Sequence, residues 1–304
     1  MTAMLADVPI TVQRWPIVGR RPELEVFEQA LSSEECAGLV IHGRAGVGKT
    51  RLADECRRQA VAAGHPTERV TGSRTTARLP LAAVAVLLAG GLGRADPDGR
   101  VDTAALFDQT RRALEERHGG RRVVTVADDV ALLDTASLAL LGYLAAQGTI
   151  FLIATVRTGE PVPDLVIGLW RDGQLARVDL ADLSRANLDT LLHLALGGPI
   201  EAGAGRELWE VTKGNPLYVR ELVLGALESG ALVERSGVWH LNDPVPSTTR
   251  LADLVEQRIG HLGGEARSVL ELLALCEPLE IGYLETAATP GALESLEQAG
   301  LVTV

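Results

Sequence analysis

The chain has 304 residues, 46% of them hydrophobic, and a formal net charge of −11. That length and apolar content allow one large core or roughly two to three smaller ones, while the acidic balance argues against a surface that holds nucleic acid by neutralising phosphates. Cys36, Cys56 and Cys276 are odd in number and lack the C-x-x-C spacing of a zinc or redox site, and no stretch approaches the ~18 uninterrupted apolar residues of a membrane span, so a cytoplasmic protein is expected.

Residues 1–15, with Asp7 and Pro9, show weak periodicity and read as a leader or a first short strand. Apolar positions at Leu24, Phe27 and Leu31 predict a helix over Pro22 to Leu31. The branched run Gly38-Leu39-Val40-Ile41, bounded by Gly43, predicts a buried parallel strand. A glycine loop and a helix over Lys49 to Ala63 follow. Further strands are expected at Arg69 to Thr71, Arg122 to Ala127, Ile150 to Thr155 and Ala176 to Leu180. Helices are expected between them at Leu81 to Leu88, Thr103 to Arg117, Thr135 to Gln147 and Pro163 to Trp170. Such alternation predicts an α/β domain over residues 16–183, a parallel sheet covered on both faces.

From Ser184, a plausible N-cap, the pattern becomes helical: Ser184 to Leu196, Ala202 to Thr212, Leu217 to Ser229. A hairpin over Ala231 to Leu241 turns at Ser236-Gly237, closing a segment of residues 184–247. Helices resume from Thr248 and give way to Gly300-Leu301-Val302-Thr303-Val304, where an apolar strand has just begun; residues 248–304 are expected to be the truncated start of a further domain.

Only two of the 29 basic residues are lysines, Lys49 and Lys213. A lysine kept amid such a bias matters where a compact point charge is needed, because arginine cannot replace it there. Lys49 lies in Gly43-Arg44-Ala45-Gly46-Val47-Gly48-Lys49-Thr50, which fits G-x-x-x-x-G-K-[ST] with a predicted strand before it and a helix opening through Arg51 behind it. Glycines let successive N–H groups turn inward on phosphates, and the helix N-terminus adds its positive end. Lys49 would reach the β- and γ-phosphates and the Thr50 hydroxyl would bind magnesium. Val123 to Asp129 supplies the acidic strand such a loop needs: Asp128 for the metal, Asp129 to orient or deprotonate water. Arg157, closing the next strand, would stabilise charge on the transferred phosphoryl group. Asp134 reads as an N-cap, and Lys213 as surface.

Together these residues resemble the STAND class of AAA+-like P-loop ATPases, and more narrowly the large, MalT-like ATP-binding transcriptional regulators of the LuxR type. Val18-Gly19-Arg20 is similar to the family's opening signature, which lies over the adenine. Gly43 to Thr50 matches its Walker A motif, and Asp128-Asp129 with Leu133 to Ser137 resembles its extended Walker B. Arg157 matches the arginine that senses the terminal phosphate. Gly214-Asn215-Pro216-Leu217, followed by Val219 to Leu222, resembles the G-x-P motif of a helical lid that contacts nucleotide.

The resemblance implies a P-loop core, a helical lid and a winged helix. It implies ATP or ADP with Mg2+ as ligands, an unidentified inducer, self-association of the full-length protein, and DNA contact only through a C-terminal helix-turn-helix absent from this chain. Family members carry His or Gln then Trp where this chain has Ala131 and Leu132, and commonly an acid where it has Arg21; the departures argue against efficient hydrolysis. Expected, then, is a slow regulatory ATPase. A non-hydrolysing nucleotide-binding scaffold and a P-loop kinase of another class are the alternatives, and adenine is favoured over guanine by the resemblance alone.

Overall fold

In a computed structural model, residues 15–73, 79–88, 103–160, 162–242, 262–276, 289–298 and 301–302 are described, with single residues at 252, 256, 259 and 260. The expected leader over residues 1–15 lies, but for Trp15, outside them. Two compact units emerge: Gly19–Ala181, and a second made of the described residues up to Val18 and from Asp182 onward.

In the first unit the chain runs α1 (Arg21–Ser32), β1 (Gly38–Gly43), α2 (Lys49–Ala62), β2 (Thr67–Thr71), α3 (Thr103–His118), β3 (Val123–Asp128), α4 (Thr135–Ala146), β4 (Ile150–Arg157), α5 (Asp164–Arg171) and β5 (Leu175–Leu180). The strands form one sheet in the order β2-β3-β4-β1-β5, every pair parallel. β4 thus separates the strand that feeds the glycine loop from the strand that ends in the acid pair.

The branched and apolar residues of β3 are all buried, as are those of β4 up to Arg157, which is the pattern of a sheet covered on both faces. On one face Val40, Val123, Ile150 and Leu152 meet Leu140 and Leu144 of α4 and Leu114 of α3. Phe27 of α1 meets Phe151 edge-on at 5.9 Å. Burying these side chains is the main stabilising term, about 25 cal/mol for each Å² of apolar surface withdrawn from water. All strand C-termini lie at one edge of the sheet, where ligands of open parallel sheets bind.

The helix expected over Leu81 to Leu88 is not formed. Those residues make successive tight turns, with Ala82 N–H donating to Leu79 O (3.1 Å), Leu87 to Val84 O (2.8 Å) and Leu88 to Ala85 O (3.2 Å). Leu81 sits at φ 61° with its N–H held 3.2 Å from the Asp134 carboxylate, and Leu81, Val84 and Leu87 are buried in the core. The apolar spacing is therefore satisfied by burial while the left-handed residue after Pro80 breaks the helical register.

The second unit contains α6 (Arg185–Leu196), α7 (Ala202–Thr212), α8 (Pro216–Ser229) and the hairpin β6 (Leu232–Arg235) with β7 (Val238–Leu241). Leu188, Leu192, Leu208, Val219 and Leu222 share a core with Trp239, and Trp15 and Val18 pack against it. Ser184 caps α6 through the Asn187 N–H, as expected. Farther on, α9 (Gly264–Cys276) and α10 (Pro290–Gln298) join through Ala266, Val269, Ala292 and Leu296. Leu301 and Val302 are in no strand, and part of the expected winged helix, residues 277–288 among it, lies outside the described residues.

Candidate functional site

The glycine loop is shaped by three glycines with different duties. Gly46 and Gly48 take φ 78° and 102°, the left-handed region that a side chain disfavours. At Gly43 the limit is space: a Cβ would lie 2.7 Å from Leu180 O and 3.1 Å from Val47 Cγ1. Val47 is buried and anchors the loop, while Arg44, Ala45, Thr50 and Arg51 are exposed. Arg20, 8% exposed, braces the same loop, donating to Val47 O at 3.2 Å and to Ala181 O at 2.7 Å. Its guanidinium is thus shared between backbone carbonyls and the Glu23 carboxylate at 3.2 Å, a task the opening motif does not advertise; Gly19 before it is at φ 69°.

Lys49 opens α2 and turns back into the loop, donating to Gly43 O at 2.9 Å and Arg44 O at 2.8 Å. Burial lowers its pKa, and the charge of Arg157 lowers it further, against partial compensation from Asp129, Glu160 and Asp128. Arg157 stands opposite Gly43, whose carbonyl Lys49 bonds, so two cations and the N-terminus of a helix lie at the same end of the sheet, an arrangement that a phosphate chain would relieve.

Opposite them stand the acids. Asp128 Oδ1 accepts from the Thr50 hydroxyl at 3.0 Å and the Thr155 hydroxyl at 2.7 Å, and Oδ2 from the Arg69 guanidinium at 2.9 Å. Thr155 Oγ1 also accepts the Asp129 N–H at 2.8 Å, so one hydroxyl on β4 fixes both acids. Asp129 adopts φ 52°, ψ 59°, an uncommon conformation for a residue with a side chain. It meets Arg157 at 3.4 Å, and Arg157 also meets Glu160 at 3.9 Å. Gly72 lets this turn close: its N–H reaches Asp128 O at 2.9 Å, and a Cβ would fall 2.4 Å from Asp129 O.

Ala131 and Leu132 occupy a single 3-10 turn over Val130–Leu132, followed by Asp134, which caps α4 by accepting from Ser137 N at 2.9 Å. Among the described residues no three His, Cys, Asp or Glu side chains form a cage for an ion. Thr50 and Asp128 fit a magnesium ion that takes its other ligands from phosphate and water, as hard oxygen donors should.

Gly43 to Thr50, Asp128, Asp129 and Arg157 are thus brought to one end of the sheet. Thr155, Arg69 and Gly72 were not singled out by sequence reasoning; they are recognisable only once β2, β3 and β4 are in register, with Arg69 opposite Val126 and Thr71 opposite Asp128.

In the second unit, Gly214 and Pro216 have a local structural account. Gly214 is at φ 81°, its carbonyl accepts the Leu183 N–H at 2.9 Å, and a Cβ would lie 2.2 Å from Leu183 O. Asn215 caps α8 through Leu217 N and donates to Asp182 at 3.1 Å, and Pro216 takes the first helical turn. Lys213 pairs with Glu210 at the surface, as its sequence context suggested.

Residues 16–153 match the family model described as AAA ATPase domain. None of the curated proteins matches the sequence. The structure is similar to the Aeropyrum pernix ORC1 protein, solved in complex with DNA, at TM-score 0.53 and 17% identity over 96% of this chain and 86% of that one. Domain III of the Thermotoga maritima replication initiation protein DnaA is similar at TM-score 0.45 and 15% identity, over 71% of this chain and 88% of that one. Hsp104 of S. cerevisiae, in its extended complex with casein, aligns at TM-score 0.48 and 14% identity, over 86% of this chain and 51% of that one. The likeness to the ORC1 protein is one of fold. Residues 16–153 are thus similar to an AAA ATPase domain, and the structure has the P-loop NTPase α/β fold. Among the described residues no helix is long and apolar enough to cross a membrane.

Proposed function

We propose that this chain is an ATP/ADP-binding regulatory switch with slow magnesium-dependent hydrolysis, the ATPase portion of a LuxR-type transcriptional regulator of the STAND class. The observation that carries the reading is that Lys49 bonds the carbonyl of Gly43 while Arg157 stands opposite Gly43 on the neighbouring strand, with Thr50 held 3.0 Å from Asp128. Lys49 and the loop N–H groups would hold the phosphates, Thr50 and Asp128 the ion, and Arg157 would sense the terminal phosphate. Bound magnesium supplies charge neutralisation of the phosphates.

Slow turnover is supported by Asp129, the residue best placed to act on water. It is a short side chain engaged by Arg157, and no His, Gln or Trp follows at 131 and 132. Binding state would then matter more than turnover, with the ligand shifting a population of conformations. The regulatory role, the adenine preference, the lid contact of Gly214 and Pro216 and the adenine-side place of Val18, Gly19 and Arg20 rest on the motif resemblance. Within that reading the inducer and self-association belong to the full-length protein, and DNA binding to a helix-turn-helix outside residues 1–304.

The same engagement of Asp129 favours a second reading, a nucleotide-binding scaffold that hydrolyses nothing. Nucleotide content of the purified protein and phosphate release, measured beside Lys49→Ala and Asp129→Asn, separate the two. ADP carried through purification, with slow release lost in both variants, is the expected result. Bound nucleotide without release by the wild type establishes the scaffold, and failure to bind nucleotide even with magnesium overturns the proposal.

A further inference from the structure

Asp128 has a third partner that neither metal binding nor hydrolysis explains. Thr50 and Thr155 share its Oδ1, and its Oδ2 accepts Arg69 Nη2 at 2.9 Å. The other terminal nitrogen of Arg69, Nη1, is paired with the Asp54 carboxylate on α2. The Arg69 and Asp54 side chains are about one-third exposed, 36% and 34%, whereas that of Asp128 is 9% exposed. One guanidinium therefore bridges a nearly buried acid at the metal position and a half-buried acid one helix away.

The strand register makes the bridge possible. Arg69 stands opposite Val126, two residues before Asp128 along β3, so it shares a face with that acid and reaches it diagonally. Asp54 is four residues along α2 from Thr50, one helical turn, and so lies on the same side of the helix as that hydroxyl. A lysine offers one point charge; the planar fork of arginine can hold a carboxylate on each prong.

We propose that Arg69 is a positioning residue that sets the magnesium requirement of nucleotide binding, by holding Oδ2 of Asp128 in the absence of the ion and resting on Asp54 alone when the ion is bound. This inference rests on the assignment of Thr50 and Asp128 to the ion. Magnesium demands near-ideal octahedral oxygen geometry, and a guanidinium on the same carboxylate opposes it both by charge and by occupying an oxygen. Asp54 makes the exchange feasible, because Arg69 keeps a partner when it leaves Asp128 and no charge is stranded. The two acids thus act in opposite directions on one arginine, Asp128 drawing it toward the ion's place and Asp54 away.

The test is a titration of MgCl2 into the full chain with a fluorescent ATP analogue at fixed concentration, reading nucleotide binding rather than turnover. It is run on the wild type, Arg69→Gln and Asp54→Asn, with urea unfolding as the control for folding. Arg69→Gln is expected to lower the half-saturating magnesium concentration by roughly two- to fivefold, the size of one partly exposed ion pair. Asp54→Asn is expected to raise it, since Arg69 is then left with Asp128 only. A purely structural role would move both variants in the same direction or neither. An unchanged or higher midpoint in Arg69→Gln overturns the proposal. If that variant does not fold, an unchanged or lower midpoint in Asp54→Asn overturns it instead. Wild-type protein that binds no nucleotide at any magnesium concentration removes the nucleotide reading itself; binding with a magnesium dependence indifferent to Arg69 removes only this inference.

Discussion

Gly19–Ala181 and residues 182–242 are built on different terms. In the first unit, charged groups are buried where the strands end: Lys49, Asp128 and Arg20 are each less than 9% exposed, and Asp129 beside them is held in a left-handed conformation. Asp128 and Arg20 are held by partners from elements far apart in the chain and Lys49 by the loop carbonyls just before it, so that each buried charge is paired or hydrogen-bonded. In the second unit the helices start and stop by local rules. Ser184 and Asn215 cap α6 and α8, and Gly197 and Gly230 end them at φ 73° and 75°. The contrast separates a region whose polar groups are spent on a site from one whose polar groups are spent on its own helices, and Gly214 is where the second region is least tolerant.

That intolerance gives the largest expected effect. Gly214→Ala should destabilise residues 182–242 by about 3 kcal/mol or more, because a strained φ is joined by a backbone collision at 2.2 Å. Gly230→Ala, with a similar φ of +75° and nothing within 4 Å of its Cβ, should cost about 1 kcal/mol. Urea unfolding of the two variants measures the difference; equal losses would show that φ alone governs both sites.

In the first unit the corresponding break is functional. Lys49→Ala should weaken triphosphate binding by roughly 100-fold, the size of a lost charge-assisted contact in a partly dehydrated site. The rise in melting temperature that nucleotide confers on the wild type should vanish with it. Retention of that rise would place the phosphates elsewhere.

A smaller effect is expected at Asp134, where the first unit uses a local rule of the second unit's kind. Asp134→Ala should cost about 1 kcal/mol as a lost helix cap, and more if the Leu81 turn loosens with it. Burial pushes the Asp134 pKa up, but the hydroxyl and N–H of Ser137 and the N–H of Leu81 outweigh it and hold it below the ordinary value. With the folded pKa below the unfolded one, near ~3.9, its contribution is complete above that pH and lost as the acid is protonated below it. The stability gap between wild type and variant should therefore close only below about pH 4, followed by denaturant midpoints across the acid range.

The smallest effect is chemical. Burial pushes the Cys56 thiol up to about 12, so it stays protonated and unreactive. Iodoacetamide at pH 8 should modify the partly exposed Cys36 well before Cys56, read by mass spectrometry of peptides; equal rates would mean that α2 opens readily.

Much of this molecule was legible in its sequence. The strand-loop-helix at Gly38 to Ala62, the acid pair closing β3 and the caps Ser184 and Asp134 are each written within a few consecutive residues. Backbone propensity, glycine conformation and hydrogen-bond reach act over that range. Leu81 to Leu88 misled because apolar spacing reports burial, and turns can bury the same residues as a helix. Only the tertiary structure decided that Thr155 would steady both acids, that Gly72 would leave room for Asp129, that Arg20 would brace Val47, and that Arg69 would stand between Asp128 and Asp54. Those partners come from separate strands and helices, and strand order and register, which bring them together, are set by how the whole core packs.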